Sequence, residues 1–223
     1  LESVNFQGFF AYHRSERNAG GKNMRLICIG DSLTFGYGVH LSQRWTRLCA
    51  QETGWELVNE GINGDTTGGM LARMQGGVLA ELREGGLGAD RPYVLLMGGS
   101  NDVFYSGSDA AARGNMGAMI HQLFSVGVLP MVGIPLPADA PHAPRAWAVA
   151  VDFEAAERTM KEYCAWLKRY CTAFGVPYID FCADFLSPDG SIRSELLLDG
   201  LHPTPEGHCL MARRLSAQLK RQG

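Results

Sequence analysis

Five short apolar runs recur along the chain: RLICIG at 25–30, ELVNEG at 56–61, PYVLLMG at 92–98, VLPMVGI at 128–134 and VPYIDF at 176–181. Segments of helical period lie between them. The runs are near-continuous instead of alternating apolar with polar, which is the pattern of strands covered on both faces. Strand, helix, strand in that order calls for right-handed crossovers, and so for a parallel sheet with helices on both sides. The expected fold is α/β: a three-layer α/β/α sandwich around a doubly wound, flavodoxin-like sheet of about five parallel strands. A chain of 223 residues, 46% hydrophobic, is long enough for one full core and short for two.

The clearest helix precedes the fifth run. Phe153, Ala156, Met160, Tyr163, Cys164, Leu167, Tyr170, Cys171 and Phe174 recur there at steps of three and four, and Gly175 follows as a stop. A last helix opens with Thr204 as N-cap and Pro205 at its first position, then runs through Leu210, Met211, Leu215 and Leu219. The connection PLPADAPHAPRAWAVAVD, 135–152, is rich in Pro and Ala and long for a strand-to-helix link. Loops of that kind contribute to pockets on such scaffolds. Residues 1–23 carry Glu2, His13, Arg14, Glu16, Arg17 and Lys22 and no apolar export core. NFQG at 5–8 resembles the remnant of a protease site used to remove purification tags, and Met24 directly precedes the first strand. Residues 1–23 are therefore expected to be a leader, with one domain over 24–223.

Charge and cysteine usage exclude several classes. There are 20 basic against 23 acidic residues, net −3, with no basic block, so neither nucleic acid nor an anionic membrane surface is an expected partner. The apolar stretches break well short of the roughly 18 residues that a membrane helix requires. Cys28, Cys49, Cys164, Cys171, Cys182 and Cys209 form no C-x-x-C pair and sit within apolar segments, which suits reduced core thiols and a cytoplasmic protein.

The first run ends on Gly30, Asp31 and Ser32, just beyond the carboxyl end of a strand, where open sheets of this kind collect ligands. A serine hydroxyl is a poor nucleophile until a base takes its proton, and a histidine does this best when a carboxylate fixes its tautomer. LLDGLHPTPEG supplies Asp199 and His202, three apart, before the last helix. His13, His40, His121, His142 and His208 show no comparably placed acid. Acyl transfer also needs donors aimed at the developing oxyanion. NEGINGDTTGG (59–69) offers the Gly64 amide, and MGGSNDVF (97–104) offers the Asn101 side chain. Asp31 and Asp102 are expected to tie loops together by accepting amide hydrogen bonds, without a chemical role.

Gly-Asp-Ser-Leu at 30–33, Gly64, Gly-x-Asn-Asp at 99–102 and Asp-x-x-His at 199–202, in that order, resemble the four blocks of the SGNH hydrolases, also called GDSL esterases. INGDTTGG and IPLPAD are further similar to the bacterial branch of multifunctional thioesterases, arylesterases and lysophospholipases. The resemblance implies Ser32 as nucleophile, His202 as base and Asp199 as its partner. The Ser32 amide, the Gly64 amide and the Asn101 side chain would form the oxyanion hole. It implies no metal and no organic cofactor. The 135–152 loop looks longer than in that compact branch, so no acyl-chain preference carries over.

Each block alone has a plain reading: a turn after a strand, a loop before a helix, a glycine at positive φ. Together they place a Ser, a Gly, an Asn and an Asp-x-x-His where one reaction needs them. H-E-x-x-H, G-x-x-x-x-G-K-[ST] and G-x-S-x-G are all absent from the sequence. The expected activity is hydrolysis of small carboxylic esters, including aryl esters, thioesters and lysophospholipid-like acyl esters, through an acyl-enzyme on Ser32. Two alternatives stay open, a carbohydrate O-acetyl esterase on the same triad and a binding module without catalysis. Trp147, in the long loop, is a candidate substrate contact. Trp45, Trp55 and Trp166 read as packing.

Overall fold

Side chains alternate across a strand, and along the first strand they divide between two cores. The computed structural model describes residues 24–84, 92–128, 130–147 and 149–220, so the leader expected over 1–23 lies outside the described residues. Ile27 and Ile29 join one cluster with Met70, Met116, Ile120 and Met160, while Leu26 and Cys28 join another with Trp45, Met211 and Leu215. All of these are essentially inaccessible to solvent. Burying one such side chain stabilises the fold by roughly 1.5–3 kcal/mol, so both faces of the sheet must be covered for the chain to be stable.

The elements follow one another as β1 (Arg25–Gly30), α1 (Ser32–Phe35, a single turn), α2 (Trp45–Thr53), β2 (Glu56–Gly61), α3 (Thr67–Gly76), α4 (Val78–Glu84), β3 (Tyr93–Met97), α5 (Ser100–Ser106), α6 (Ala110–Ser125), β4 (Met131–Ile134), α7 (Phe153–Phe174), β5 (Tyr178–Asp180) and α8 (Pro205–Lys220). The strands form one parallel sheet in the order β2-β1-β3-β4-β5, the flavodoxin-like arrangement. Helices α2 and α8 cover one face, α3, α6 and α7 the other. The long helix spans Phe153–Phe174 as its spacing predicts. Asp152 caps its start by accepting from the Ala155 N–H, and Gly175 ends it in the left-handed region.

Three strands are shorter than their apolar runs. β3, β4 and β5 each begin immediately after a proline, Pro92, Pro130 and Pro177, which has no N–H to give to a ladder. β2 departs from the expected two-sided burial, its residues being half-buried or exposed because it is an edge strand. All six cysteines are free thiols; five are buried and Cys209 is half-buried.

Register positions the site. Gly30 at the end of β1 lies opposite Gly61 of β2 and Met97 of β3, so the loops that follow all leave one rim. Among the described residues no helix is long and apolar enough to cross a membrane.

Candidate active site

Asp31 turns the chain out of β1. It accepts the Leu33 N–H at 2.9 Å through one carboxylate oxygen, starting α1 with Ser32 as its first residue. The other oxygen is buried with no hydrogen-bond partner among the described residues. Burial pushes the carboxyl up to about 7, against the pull of the Leu33 N–H bond and of nearby His202. The serine is thus presented at a tight turn at the C-terminal edge of the sheet.

The His202 ring reaches it from the loop before α8. Its Nε2 lies 2.9 Å from Ser32 Oγ, and its Nδ1 lies 2.9 and 3.1 Å from the two oxygens of Asp199. A carboxylate only accepts, so Nδ1 is the donor and Nε2 is left to receive the serine proton. Burial alone would raise the Asp199 carboxyl. The His202 ring and the N–H groups of His202 and Leu201 outweigh that and hold it below the usual range, hence ionised. Tyr37 packs tilted against the His202 ring, centroids 4.6 Å apart with the planes at 46°.

The second and third loops are fastened to the same place. Gly64 has φ +76, a left-handed conformation that a side chain would strain. Asn101, buried on α5, gives one of its two amide hydrogens to the Asp65 carbonyl at 2.8 Å, leaving the other free. Asp102 accepts from the N–H and hydroxyl of Thr67 at 2.9 and 2.6 Å, and so locks α3 to α5. Both aspartates, Asp31 and Asp102, therefore hold loops through amide hydrogen bonds, as their positions suggest. Arg73 on α3 bonds Asp65 at 2.9 Å and the Gly30 carbonyl at 2.9 Å, joining the second loop to the end of β1.

Ser32, Gly64, Asn101 and His202 line one cavity of about 290 Å³, and Trp147 joins them from the long loop with its ring partly exposed. Its other walls are largely apolar, with Phe104, Leu136, Pro137 and Leu201 among them. Asp199 stands behind the ring. Trp45 and Trp55 are buried and Trp166 is partly so, as packing residues should be.

The expectation for His142 is corrected. Its Nδ1 sits 2.8 Å from Asp139 Oδ2, a second Asp-x-x-His pair in the long loop. This ring is on the surface and meets no serine, so the pair closes a turn and is no second copy of the first. The identical spacing was available in PADAPH, and only the tertiary fold distinguishes the two. Neither Arg73 nor Tyr37 stands out in the sequence, because both act through partners remote in the chain. Among the described residues no group of three or more His, Cys, Asp or Glu side chains is arranged to hold a metal ion.

Residues 28–210 match the model of the GDSL-like lipase/acylhydrolase family. The chain is similar to Esterase TesA of Pseudomonas aeruginosa, 29% identical over 185 residues, which covers 80% of this chain and 79% of that protein. In fold it is similar to a member of the lipolytic protein G-D-S-L family from Veillonella parvula (TM-score 0.70, 22% identity, 89% of this chain and 99% of that one). It is also similar to a carbohydrate acetylesterase family member from Sinorhizobium meliloti (TM-score 0.69, 17% identity, 89% and 98%).

Proposed function

Because this chain belongs to the GDSL-like lipase/acylhydrolase family, we propose that it is a serine esterase of small carboxylic esters working through an acyl-enzyme on Ser32. The observation that carries this reading is the line of three groups, with Ser32 Oγ 2.9 Å from His202 Nε2 and Nδ1 2.9 Å from Asp199. As Oγ attacks the ester carbonyl carbon, its proton passes to Nε2, and the ionised Asp199 stabilises the imidazolium. The negative charge arriving on the carbonyl oxygen is met by the N–H groups of Ser32 and Gly64 and by the free hydrogen of Asn101. Each is neutral and pre-set, so none needs to be desolvated at the moment of reaction. The imidazolium then returns its proton to the departing alcohol or thiol. A water, deprotonated by the same nitrogen, releases the acid.

The cavity supports a short or medium acyl group. Its volume of about 290 Å³ is at the small end of ligand pockets, which run from about 300 to 1,000 Å³. Phe104, Leu136, Pro137 and Trp147 give that group apolar walls. Aryl esters, thioesters and lysophospholipid-like esters remain in the proposed range. A carbohydrate O-acetyl esterase uses the same three residues, and the likeness to the Sinorhizobium meliloti protein keeps it as the second reading.

A fluorophosphonate probe is expected to label the wild type and not Ser32→Ala. An unlabelled wild type would leave only a binding module. Nitrophenol release from acetyl, butyryl and octanoyl esters, set against acetate release from acetylated xylan, separates the two enzyme readings. Chelators are expected to leave the rate unchanged, since no step proposed here uses a metal.

A further inference from the structure

We propose that the Asp139–His142 turn is a brace for the Asp199–His202 turn, with Asp139 a positioning residue that acts through the backbone of Gly200. This rests on reading Ser32, His202 and Asp199 as the triad.

The two turns meet backbone to backbone. The Asp139 N–H donates to the Gly200 carbonyl at 2.8 Å. A Cβ placed on Gly200 would stand 2.7 Å from the Asp139 carbonyl oxygen, 2.7 Å from the His142 carbonyl carbon and 2.8 Å from the Ala143 nitrogen. Those are main-chain atoms that cannot swing aside as a flexible side chain would. Gly200 also has φ +75, so a side chain there is strained even where space is found. Gly200 lies between Asp199 and His202, and any shift of it is passed to the carboxylate on one side and the ring on the other.

The bracing turn is itself closed tightly. Asp139 Oδ2 takes the His142 Nδ1 hydrogen at 2.8 Å, and the His142 N–H returns to the Asp139 carbonyl at 3.1 Å. Glu157 of α7 accepts the Ala140 N–H at 3.4 Å, mooring the turn to the long helix. The Asp139 side chain is 6% exposed while its histidine partner is 63% exposed. An ordinary surface ion pair adds little. A buried carboxylate, by contrast, needs its hydrogen bond to stay where it is. An exposed ring is thus retained to satisfy a buried acid, and the acid holds the main chain that touches the catalytic loop. Leu136, Pro137 and Ala138, directly before the turn, line the substrate cavity. Pocket wall and triad therefore share one support.

The test uses His142, whose exposure makes its loss harmless to the core. With nitrophenyl acetate, His142→Ala is expected to lower kcat about tenfold with KM within about twofold, because small displacements of a triad are costly in kcat. His142→Asn, whose amide nitrogen stands near the position of Nδ1, is expected to recover most of that loss. Gly200→Ala is expected to lose about a hundredfold. The melting temperature of His142→Asn should stay close to the wild type, and that of His142→Ala, which leaves the buried Asp139 carboxylate unpaired, should fall by a few degrees without loss of the fold. A His142→Ala enzyme turning over at the wild-type kcat, or equal losses in His142→Ala and His142→Asn, overturns the brace. Failure of the probe to label Ser32 in the wild type overturns the triad reading, and the brace with it.

Discussion

Two turns of this molecule share a sequence pattern and do different work. In both, a histidine Nδ1 reaches back three residues to an aspartate, at 2.8 Å for His142 and 2.9 Å for His202. Their burial is reversed. At 139–142 the acid is hidden and the ring exposed; at 199–202 the ring is 9% exposed and the acid 31%. The far nitrogen of His202 meets the Ser32 hydroxyl, whereas that of His142 has no hydrogen-bond partner among the described residues. The spacing builds a local hydrogen bond, and the neighbour of the opposite nitrogen decides whether it becomes chemistry.

The comparison can be broken most severely at the rings. His202→Ala is expected to reduce kcat for nitrophenyl acetate by about 10⁴-fold or more, as loss of a triad base does. The corresponding change at His142 costs only about tenfold through the brace. Parity between the two variants would make the distinction false. Next come the acids. Asp199→Asn is expected to cost about 10²- to 10⁴-fold, since the amide can present the wrong partner to Nδ1. Asp139→Asn still offers an oxygen to His142 and should stay within about tenfold of the wild type. Steady-state kinetics on the four proteins measure both contrasts.

Removal of the donor beyond the serine, in Asn101→Ala, is expected to lower kcat by about 10²- to 10³-fold with little change in KM. Among the described residues His142 has no such partner to lose.

Smaller effects come from buried groups flanking the His202 turn. Burial, with Arg44 and His202 nearby, lowers the pKa of His208 to about 4 from its ordinary 6.5. The unfolded chain binds more protons between those values, so stability is lost as pH falls from 6.5 towards 4. Asp31 has the opposite sign. Its folded pKa of about 7 lies above the ordinary 3.8, so the folded protein holds the extra proton and stability falls as pH rises through that window. Denaturant melts should show Asp31→Asn gaining on the wild type as pH rises from about 5 to about 8. A constant difference would mean that the carboxyl is not held protonated. At the exposed ring the cost comes from the partner it leaves behind: His142→Ala strips the buried Asp139 carboxylate of its hydrogen bond and should lower unfolding free energy by about 1–3 kcal/mol, while His142→Asn, which can restore that bond, should lower it by less.

The sheet was readable in the sequence because β1, β3 and β4 are buried on both sides and carry unbroken apolar residues. Strand starts were misjudged where Pro92, Pro130 and Pro177 sit, since hydrophobicity does not register a missing N–H. The four motif blocks could be read because each is local and lies at a strand end or before a helix. Arg73 could not, because its value lies in joining Asp65 to the Gly30 carbonyl, 43 residues away. The role of the Asp139–His142 turn was equally hidden, for nothing in PADAPH says which main chain it will touch.

The hydroxyl at 32 and the ring at 202 are 170 positions apart. A ribosome therefore delivers the first long before the second, and contacts so distant form late in folding. On the proposed reading, a serine without the His202 ring beside it is as poor a nucleophile as any alcohol in water. If Ser32 is the nucleophile, as proposed, hydrolysis has to wait until the stretch around residue 202 has docked.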